Sequence, residues 1–367
     1  MNVLVTGSNG FIGKNLIVRL NELSIQVATY TRENSIQDLK DLIRDADCIV
    51  HLAGENRPKD EKNFDVVNAG LTASICDVVC SSGKNTPIIL ASSTQAEFDN
   101  AYGKSKLDAE TALKALEDGT GCPVYLYRLP GVFGKWCKPN YNSVVATFCY
   151  NISQDLPIQV NNPDFELTLV YIDDVIQEFV QIIQEASNNK KELSVQPEYK
   201  IKLGDLANKI NVLKESRNSL ITEKVGTGFI RKLYSTYLSY LSPEQFAYLI
   251  PSYGDERGMF AEMLKTKDSG QFSFFTAGPG VTRGGHYHHS KTEKFLVIKG
   301  EAKFGFRHIA SDEIYEIITT SKVLKIVETV PGWSHNITNI GKEDMIVILW
   351  ANEIFDPDNP DTIAHKV

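Results

Sequence analysis

Hydrophobic and polar positions follow two rhythms that change part-way along the chain. In the first, short apolar runs alternate with longer stretches at helical spacing. "MNVLVTG" reads as a buried strand ending in a turn, and "GFIGKNLIVRLNEL" continues with apolar residues at helix period. "SIQVATYTR", "ADCIVHLAG", "KNTPIILASS" and "CPVYLYRLPGVFG" read as further strands. Helices are expected around Leu71–Cys80 and over "AYGKSKLDAETALKALEDG", which Gly119 closes. Strand–helix alternation predicts a parallel sheet covered on both faces, and right-handed crossovers make it a doubly wound α/β fold of the Rossmann type.

The rhythm changes after about Ser187. "SNNKKELSVQPEYK" reads as a polar surface loop, and "LGDLANKINVLKESR" as a helix. "LYSTYLSYLSPEQF" spaces Tyr234, Tyr237 and Tyr240 three apart, an aromatic stripe packed on a core or a domain seam. Pro243 or Pro251 marks the boundary. Beyond it come short β-runs with glycine turns: "GQFSFFTAGPG", "EKFLVIKGEAKFGFRHI", "KVLKIVETVPGWSHNI" and "DMIVILWANEIF". These predict an all-β sandwich or small barrel. Two domains are therefore expected, 1–243 and 244–367, in keeping with roughly 100–200 residues per domain.

Composition narrows the function. The net charge of -8 argues against a general nucleic-acid partner. No apolar run reaches the ~18 residues of a membrane span, and no signal peptide precedes the first strand. The six cysteines form no CxxC pair, so reduced thiols, a cytoplasmic location and no cysteine–zinc site are expected.

Two constellations carry chemistry. In the first, Gly7, Gly10 and Gly13 lie between a strand and a helix, where a dinucleotide pyrophosphate would meet the helix N-terminus. Asn9, Phe11 and Ile12 fill out this turn. Arg32 follows the second strand, where a ribose 2′-phosphate would be met. That favours NADPH, with NADH as the alternative because Glu33 is adjacent. Tyr102 and Lys106 stand four apart and share a helical face. The lysine is expected to lower the tyrosine pKa and make it a proton donor or acceptor. Ser93 or Thr94, in "LASSTQ", could hydrogen-bond the reacting oxygen.

In the second constellation, His286, His288 and Glu293 lie between Gly280 and Gly300, and His335 follows in "VPGWSHNITN". His286 and His288 alternate on a strand and point to one face. Three histidines and a glutamate inside a β-barrel suit zinc or another divalent transition metal. A bulge would let His289 replace His288.

The first ~240 residues resemble the extended short-chain dehydrogenases/reductases that act on nucleotide sugars. The matching pieces are "TGSNGFIG", "IVHLAG", "ASST", "YGKSK", "YRLPGVFG" and "YIDDV". That resemblance implies Ser93, Tyr102 and Lys106 as the catalytic group, Lys106 also touching the nicotinamide ribose, and Leu52, Ala53 and Gly54 lining the cofactor. The second constellation has the spacing of the cupin motifs, with Pro331–Gly332 slightly compressed. "DERGMFAE" and "TRGGHYHH" also resemble the sugar 3,5-epimerases, in which the histidine of this motif is a metal-free base. For His286, ligand and base both remain open.

End to end, including "FGKWCKPNYNSVVATFCY" and "NEIFDPDNPDT", the chain resembles the two-domain reductase–cupin enzymes of capsular polysaccharide synthesis. The resemblance implies a UDP-linked 2-acetamido-2,6-dideoxy-4-keto-hexose, epimerised at C3 in the cupin (jelly-roll) domain and reduced at C4 with NADPH. The product would be UDP-2-acetamido-2,6-dideoxy-L-talose, a precursor of UDP-N-acetyl-L-fucosamine for capsule or O-antigen. A homodimer through the cupin domain is also implied. The alternative is a 4-ketoreductase whose C-terminal domain is only a dimerisation or structural module.

Overall fold

The apolar runs of the first half align as five parallel strands, β1 (Asn2–Thr6), β2 (Gln26–Tyr30), β3 (Cys48–His51), β4 (Ile88–Ser93) and β5 (Val124–Leu129), in the order β2-β1-β3-β4-β5. The structure is a computed structural model and describes residues 1–55, 68–185, 193–358 and 360–367. Part of the polar stretch that starts at Ser187 therefore lies outside the described residues.

Period-two alternation in these strands feeds two cores. Val3, Val5, Val50 and Ile89 face one side and pack with Leu16 and Leu20 of α1 (Phe11–Glu22) and Phe179 of α6 (Ile172–Gln184). Leu4, Ile49, Ile88 and Leu90 face the other, against α2 (Ile36–Asp45), α3 (Gly70–Ser82) and α4 (Ala101–Thr120). Strands apolar on both faces belong to a sheet covered on both sides. Each fully buried Leu or Ile contributes about 1.5–3 kcal/mol. The sheet order reverses between β1 and β3, and the crevice at their carboxyl ends is the switch point where such sheets bind ligands.

Two expectations are corrected. Helix α4 does not close at Gly119 but runs to Thr120, and Gly121 takes the left-handed conformation (φ 73°) and donates to the Glu117 carbonyl at 2.8 Å. "CPVYLYRLPGVFG" is two strands. Pro130 lies between β5 and β6 (Gly131–Phe133), and having no N–H it cannot continue a ladder. Strand β6 joins a separate small sheet with β7 (Glu166–Tyr171) and β8 (Tyr199–Lys202). Helix α5 (Val144–Ser153) lies between β6 and β7 in the chain. Tyr237, in α8 (Gly228–Leu238), is buried, and the Tyr240 hydroxyl donates to the Cys137 carbonyl at 2.6 Å.

The chain divides into two units, residues 1–210 with 232–241 and residues 211–231 with 242–367. Helix α7 (Leu203–Ser219) spans the first division. Segment 211–231 belongs with the second unit because β9 (Ile221–Thr222) pairs in parallel with β11 (Gly258–Thr266). The rest of that unit is β10 (Ser252–Asp255), β12 (Gly270–Ala277), β13 (Thr282–Tyr287), β14 (Glu293–Lys299), β15 (Glu301–His308), β16 (Ile314–Thr320), β17 (Ile326–Glu328), β18 (Trp333–Asn339), β19 (Met345–Ala351) and β20 (Ile363–Ala364). One sheet runs β10-β11-β12-β19-β14-β17 and the other β16-β15-β18-β13-β20. Their inner faces share one core, with Phe275, Phe295 and Val347 from the first and Phe304, Phe306 and Ile337 from the second. Among the described residues no helix is long and apolar enough to cross a membrane.

Two candidate catalytic centres

The first centre begins at the β1–α1 turn. Gly7 has φ 68°, and a Cβ there would stand 2.6 Å from the Ala53 nitrogen, so only glycine fits against the end of β3. Gly10 is the N-cap of α1, contributes no side-chain hydrogen bond, and no acidic residue occupies the first turn. The N-terminus at Phe11, Ile12 and Gly13 thus presents N–H donors and the positive end of the helix without a side-chain cap, as a pyrophosphate requires. Asn9 lies in the turn. Leu52 and Ala53 donate their N–H groups to the Thr6 hydroxyl at 3.2 and 3.1 Å. Arg32 lies two residues beyond β2, exposed, with its guanidinium 2.5 Å from the Glu55 carboxylate. A cleft of about 950 Å³ borders this turn at Ser8, Asn9 and Lys14 but does not reach Tyr102, so the chemistry is located by side chains and not by cavity size.

The structure brings Ser93, Tyr102 and Lys106 together. Ser93 ends β4 and accepts from the Gln95 N–H at 3.2 Å as the chain enters a 3₁₀ turn, Thr94–Glu97. Helix α4 begins with Asn100 as N-cap, bonded to the Gly103 N–H at 2.8 Å. A Cβ on Gly103 would lie 2.2 Å from the Gln95 carbonyl, so glycine lets the helix press against that turn. This contact sets Ser93 and Tyr102 within hydrogen-bonding reach. Thr94, the other candidate, lies within the turn. The Lys106 ammonium is buried, 5.9 Å from the Tyr102 ring centroid, and donates to the Ala91 carbonyl at 3.3 Å.

One electrostatic expectation is corrected. Burial pushes the Tyr102 phenol above its ordinary pKa, and the Ser93 hydrogen bond only opposes that rise. Lys106 is itself desolvated: burial pulls it down to about 8, with Glu110 opposing. Tyr102 therefore stands protonated at neutral pH, as a proton donor. A Cβ on Gly54 would lie 3.2 Å from the Lys106 nitrogen and 3.1 Å from Asn68 Oδ1, so the bare glycine opens the space above both. These residues fit a nicotinamide dinucleotide.

The second centre is built on β13, β14 and β18. One nitrogen or oxygen from each of His286, His288, Glu293 and His335 lies within 4.8 Å of the others. His286 pairs with His335 across the strands after a bulge at Gly285, and His288 lies just beyond the end of β13. The expected strict alternation on one strand is thus replaced by a bulge and a turn that reach the same face. His288 joins the cluster, whereas His289 stands against Tyr287, with ring centroids 5.5 Å apart.

Glu293 Oε2 lies 3.2 Å from His288 Nε2 and 3.4 Å from His335 Nε2, while Oε1 lies 3.2 Å from the Lys291 ammonium. Burial would raise the Glu293 pKa, but the hydrogen bond to His288, the adjacent His335 ring and the Lys291 charge hold it well below the carboxylate range. Burial, reinforced by His335 and His288, pulls His286 down to about 4, so it is a neutral imidazole with a lone pair. Both ring nitrogens of His335 are buried without a geometrically sound hydrogen bond, which costs about 1–3 kcal/mol per unsatisfied group. An anionic carboxylate, the neutral His286 imidazole and the orphaned His335 ring fit a divalent cation.

Several supporting residues carry no spacing signal. Asn68, buried, donates to Ser105 Oγ at 2.9 Å and accepts from the Glu55 N–H at 2.8 Å. His51 bridges Thr6 (2.7 Å) and Thr72 (2.9 Å). Thr72 donates to the Asn68 carbonyl, so His51 must donate from Nε2 and accept at Nδ1. Burial, then the Lys106 charge, pulls His51 down to about 3 and keeps it neutral. In the second centre the unforeseen residues are Lys291, buried within the "HHSKTE" run, and Asp361.

Fold and sites together define a dinucleotide-binding α/β unit joined in one chain to a β-sandwich with a cluster of metal-ligand type. Residues 3–196 match the NAD dependent epimerase/dehydratase family, and residues 253–363 match the polysaccharide biosynthesis C-terminal domain. The chain belongs to that epimerase/dehydratase family. It is 56% identical, over 100% of this chain and 99% of the relative, to the UDP-2-acetamido-2,6-beta-L-arabino-hexul-4-ose reductase of Pseudomonas aeruginosa. The crystal structure of the capsular polysaccharide assembling protein CapF from Staphylococcus aureus superposes with a TM-score of 0.93 at 42% identity, covering 100% of both chains. The end-to-end resemblance expected from the sequence therefore holds. The spore coat polysaccharide biosynthesis protein SpsL of Bacillus subtilis is 23% identical over 121 residues, 30% of this chain and 79% of that protein.

Proposed function

We propose that the chain is a bifunctional nucleotide-sugar enzyme. Its substrate is a UDP-linked 2-acetamido-2,6-dideoxy-4-keto-hexose. The C-terminal unit, a cupin within 244–367, inverts C3, and the reductase unit within 1–243 reduces C4 with NADPH. The product is UDP-2-acetamido-2,6-dideoxy-L-talose, on the way to UDP-N-acetyl-L-fucosamine. The observation that carries this reading is the pairing in one chain of the Ser93–Tyr102–Lys106 group beside a dinucleotide turn with the three-histidine, one-glutamate cluster. The named relative, a hexul-4-ose reductase, supports the substrate class.

In the reductase unit, Gly7, Gly10 and the α1 N-terminus hold the pyrophosphate, and Leu52, Ala53 and Gly54 line the site. Arg32 meets the 2′-phosphate, in exchange for its bond to Glu55. Bound NADPH supplies the hydride that C4 accepts. Ser93 orients the C4 oxygen through its hydroxyl. Tyr102 donates its phenolic proton to that oxygen as negative charge develops, and Lys106 stabilises the phenolate left behind.

In the cupin unit, His286, His288, Glu293 and His335 would hold zinc or another divalent metal, which would supply Lewis-acid stabilisation of negative charge on a keto oxygen. A hydrogen on C3 is acidic because the adjacent ketone accepts the electron pair as an enolate. Proton return to the opposite face inverts the carbon. Reduction at C4 removes that acidity, so epimerisation precedes reduction. NMR of the keto sugar with enzyme in heavy water tests both halves. Deuterium at C3 without NADPH, and a reduced sugar with it, is the expected outcome. Reduction with no deuterium at C3 would leave the C-terminal unit a dimerisation module.

Edge strand β16 exposes Ile314, Tyr315 and Ile318, and the residues after it expose Val323, Leu324 and Ile326, which supports a homodimer through this unit. A monomer by light scattering would refute it.

A further inference from the structure

The last residues of the chain lie against the strand and loop that carry His286 and His288. Strand β20 pairs antiparallel with β13, Ala364 opposite His286 and Ile363 opposite Tyr287. The His365 N–H donates to the Gly285 carbonyl at 3.0 Å, and the Ser334 hydroxyl donates to the His365 carbonyl at 2.7 Å. Asp361, at the head of this segment, bonds to every residue from His288 to Lys291. One carboxylate oxygen accepts from the His289 N–H at 2.8 Å. The other accepts from the Ser290 N–H at 2.7 Å, the Ser290 hydroxyl at 2.9 Å and the Lys291 N–H at 2.8 Å. The Asp361 main-chain carbonyl lies 2.5 Å from His288 Nδ1.

These contacts have a direction. A carbonyl oxygen only accepts, so His288 Nδ1 must carry the proton. Nε2 is the nitrogen left facing Glu293 and the other histidines, 3.2 Å from Oε2. A metal-ligating histidine typically has its other ring N–H held in this way by a carbonyl or carboxylate, and loss of such a partner costs about 10–100-fold in metal affinity. Three consecutive backbone N–H groups converging on one carboxylate also hold the loop in a single conformation.

We propose that Asp361 is the positioning residue of the second centre. It anchors a clasp, residues 361–365, that holds loop 288–291 and fixes the His288 ring through its Nδ1–H, so that cation binding depends on docking of residues 361–365. The cation-binding half of this proposal rests on the metal reading given above, and the ring-positioning half does not.

The test uses the full chain and the variants Asp361→Ala, Asp361→Asn and Ser290→Ala. Zinc affinity is measured by competition with a chromophoric chelator, and the His288 ring by nitrogen-15 NMR of the metal-free protein. Near-UV circular dichroism, in which Trp333 and Trp350 of the second unit contribute, checks its packing. Should the alanine variant fail to fold, the near-isosteric asparagine carries the measurement. Both Asp361 variants are expected to lose about 10–100-fold in zinc affinity. They should also weaken the hydrogen bond from His288 Nδ1–H to the Asp361 carbonyl, read as a change in the Nδ1 shift, while Ser290→Ala, which loses one bond of five, stays within a few-fold. Asp361 variants that keep wild-type affinity and the wild-type Nδ1 shift would overturn the proposal. A wild-type protein that takes up no zinc, beside variants whose Nδ1 shift still changes, would overturn the metal reading alone.

Discussion

Replacing Tyr102 by phenylalanine removes one hydroxyl and almost no volume. The phenol is held protonated by burial, and its partner is Ser93. Ser93 keeps its own bond from the Gln95 N–H at 3.2 Å, so the substrate oxygen is still oriented in the variant. What is lost is the proton donor. A positioned general acid is worth about 10²–10⁴ in rate, or roughly 3–5 kcal/mol. Tyr102 is only half-buried, so water can enter and partly replace it, which places the expected loss near the lower end, about 10²–10³. The assay is single-turnover loss of reduced-nicotinamide absorbance with the keto sugar. The Michaelis constant should move little, and deuterium incorporation at C3 should be unchanged, since that chemistry belongs to the other centre. The wild-type rate should also fall as pH rises through about 8, where Lys106 gives up the charge that steadies the phenolate. A Tyr102→Phe enzyme that retains a third or more of wild-type NADPH oxidation would refute the assignment.

Other outcomes follow from the same geometry. Glu293→Gln keeps the shape but removes the anion between His288 and His335; it should abolish measurable C3 exchange in heavy water while NADPH binding, read by fluorescence, is unaffected. Arg32→Ala should reduce the preference for NADPH over NADH about tenfold, the modest value of an exposed charge-assisted hydrogen bond, and an unchanged ratio of kcat/KM values would remove Arg32 from the ribose site. Gly13→Ala would place a methyl group 2.4 Å from the Gly7 carbonyl; thermal unfolding should show a loss of about 1–3 kcal/mol, and unaltered stability would contradict the close packing of the turn.

Legibility in the sequence differed from residue to residue for physical reasons. The glycine turn was readable because a left-handed φ and backbone approach within van der Waals contact leave no room for a Cβ at Gly7. Tyr102 and Lys106 were readable because one helical turn puts them on one face. Their protonation was not, since it depends on how much water the fold removes, and burial reversed the expected shift of Tyr102. The ends of elements were misjudged where two candidates competed: Gly119 and Gly121 both offer a C-cap, and Gly121, two residues before Pro123, is the one that turns left-handed. Among the ligand-type residues, His286 and His335 were placed by spacing. The choice of His288 over His289 needed the bulge at Gly285 and the turn after β13.

By itself the sequence determined what short-range physics controls: which segments are strands or helices, where backbone must bend without a side chain, and which acids, bases and ligand-type side chains are present. Only tertiary structure decided which of them meet. Asn68 reaches Ser105 across 37 positions, and Asp361 reaches His288 across 73. No periodicity extends over such distances, because contacts of that separation are set by how sheets and helices pack and not by any repeat along the chain.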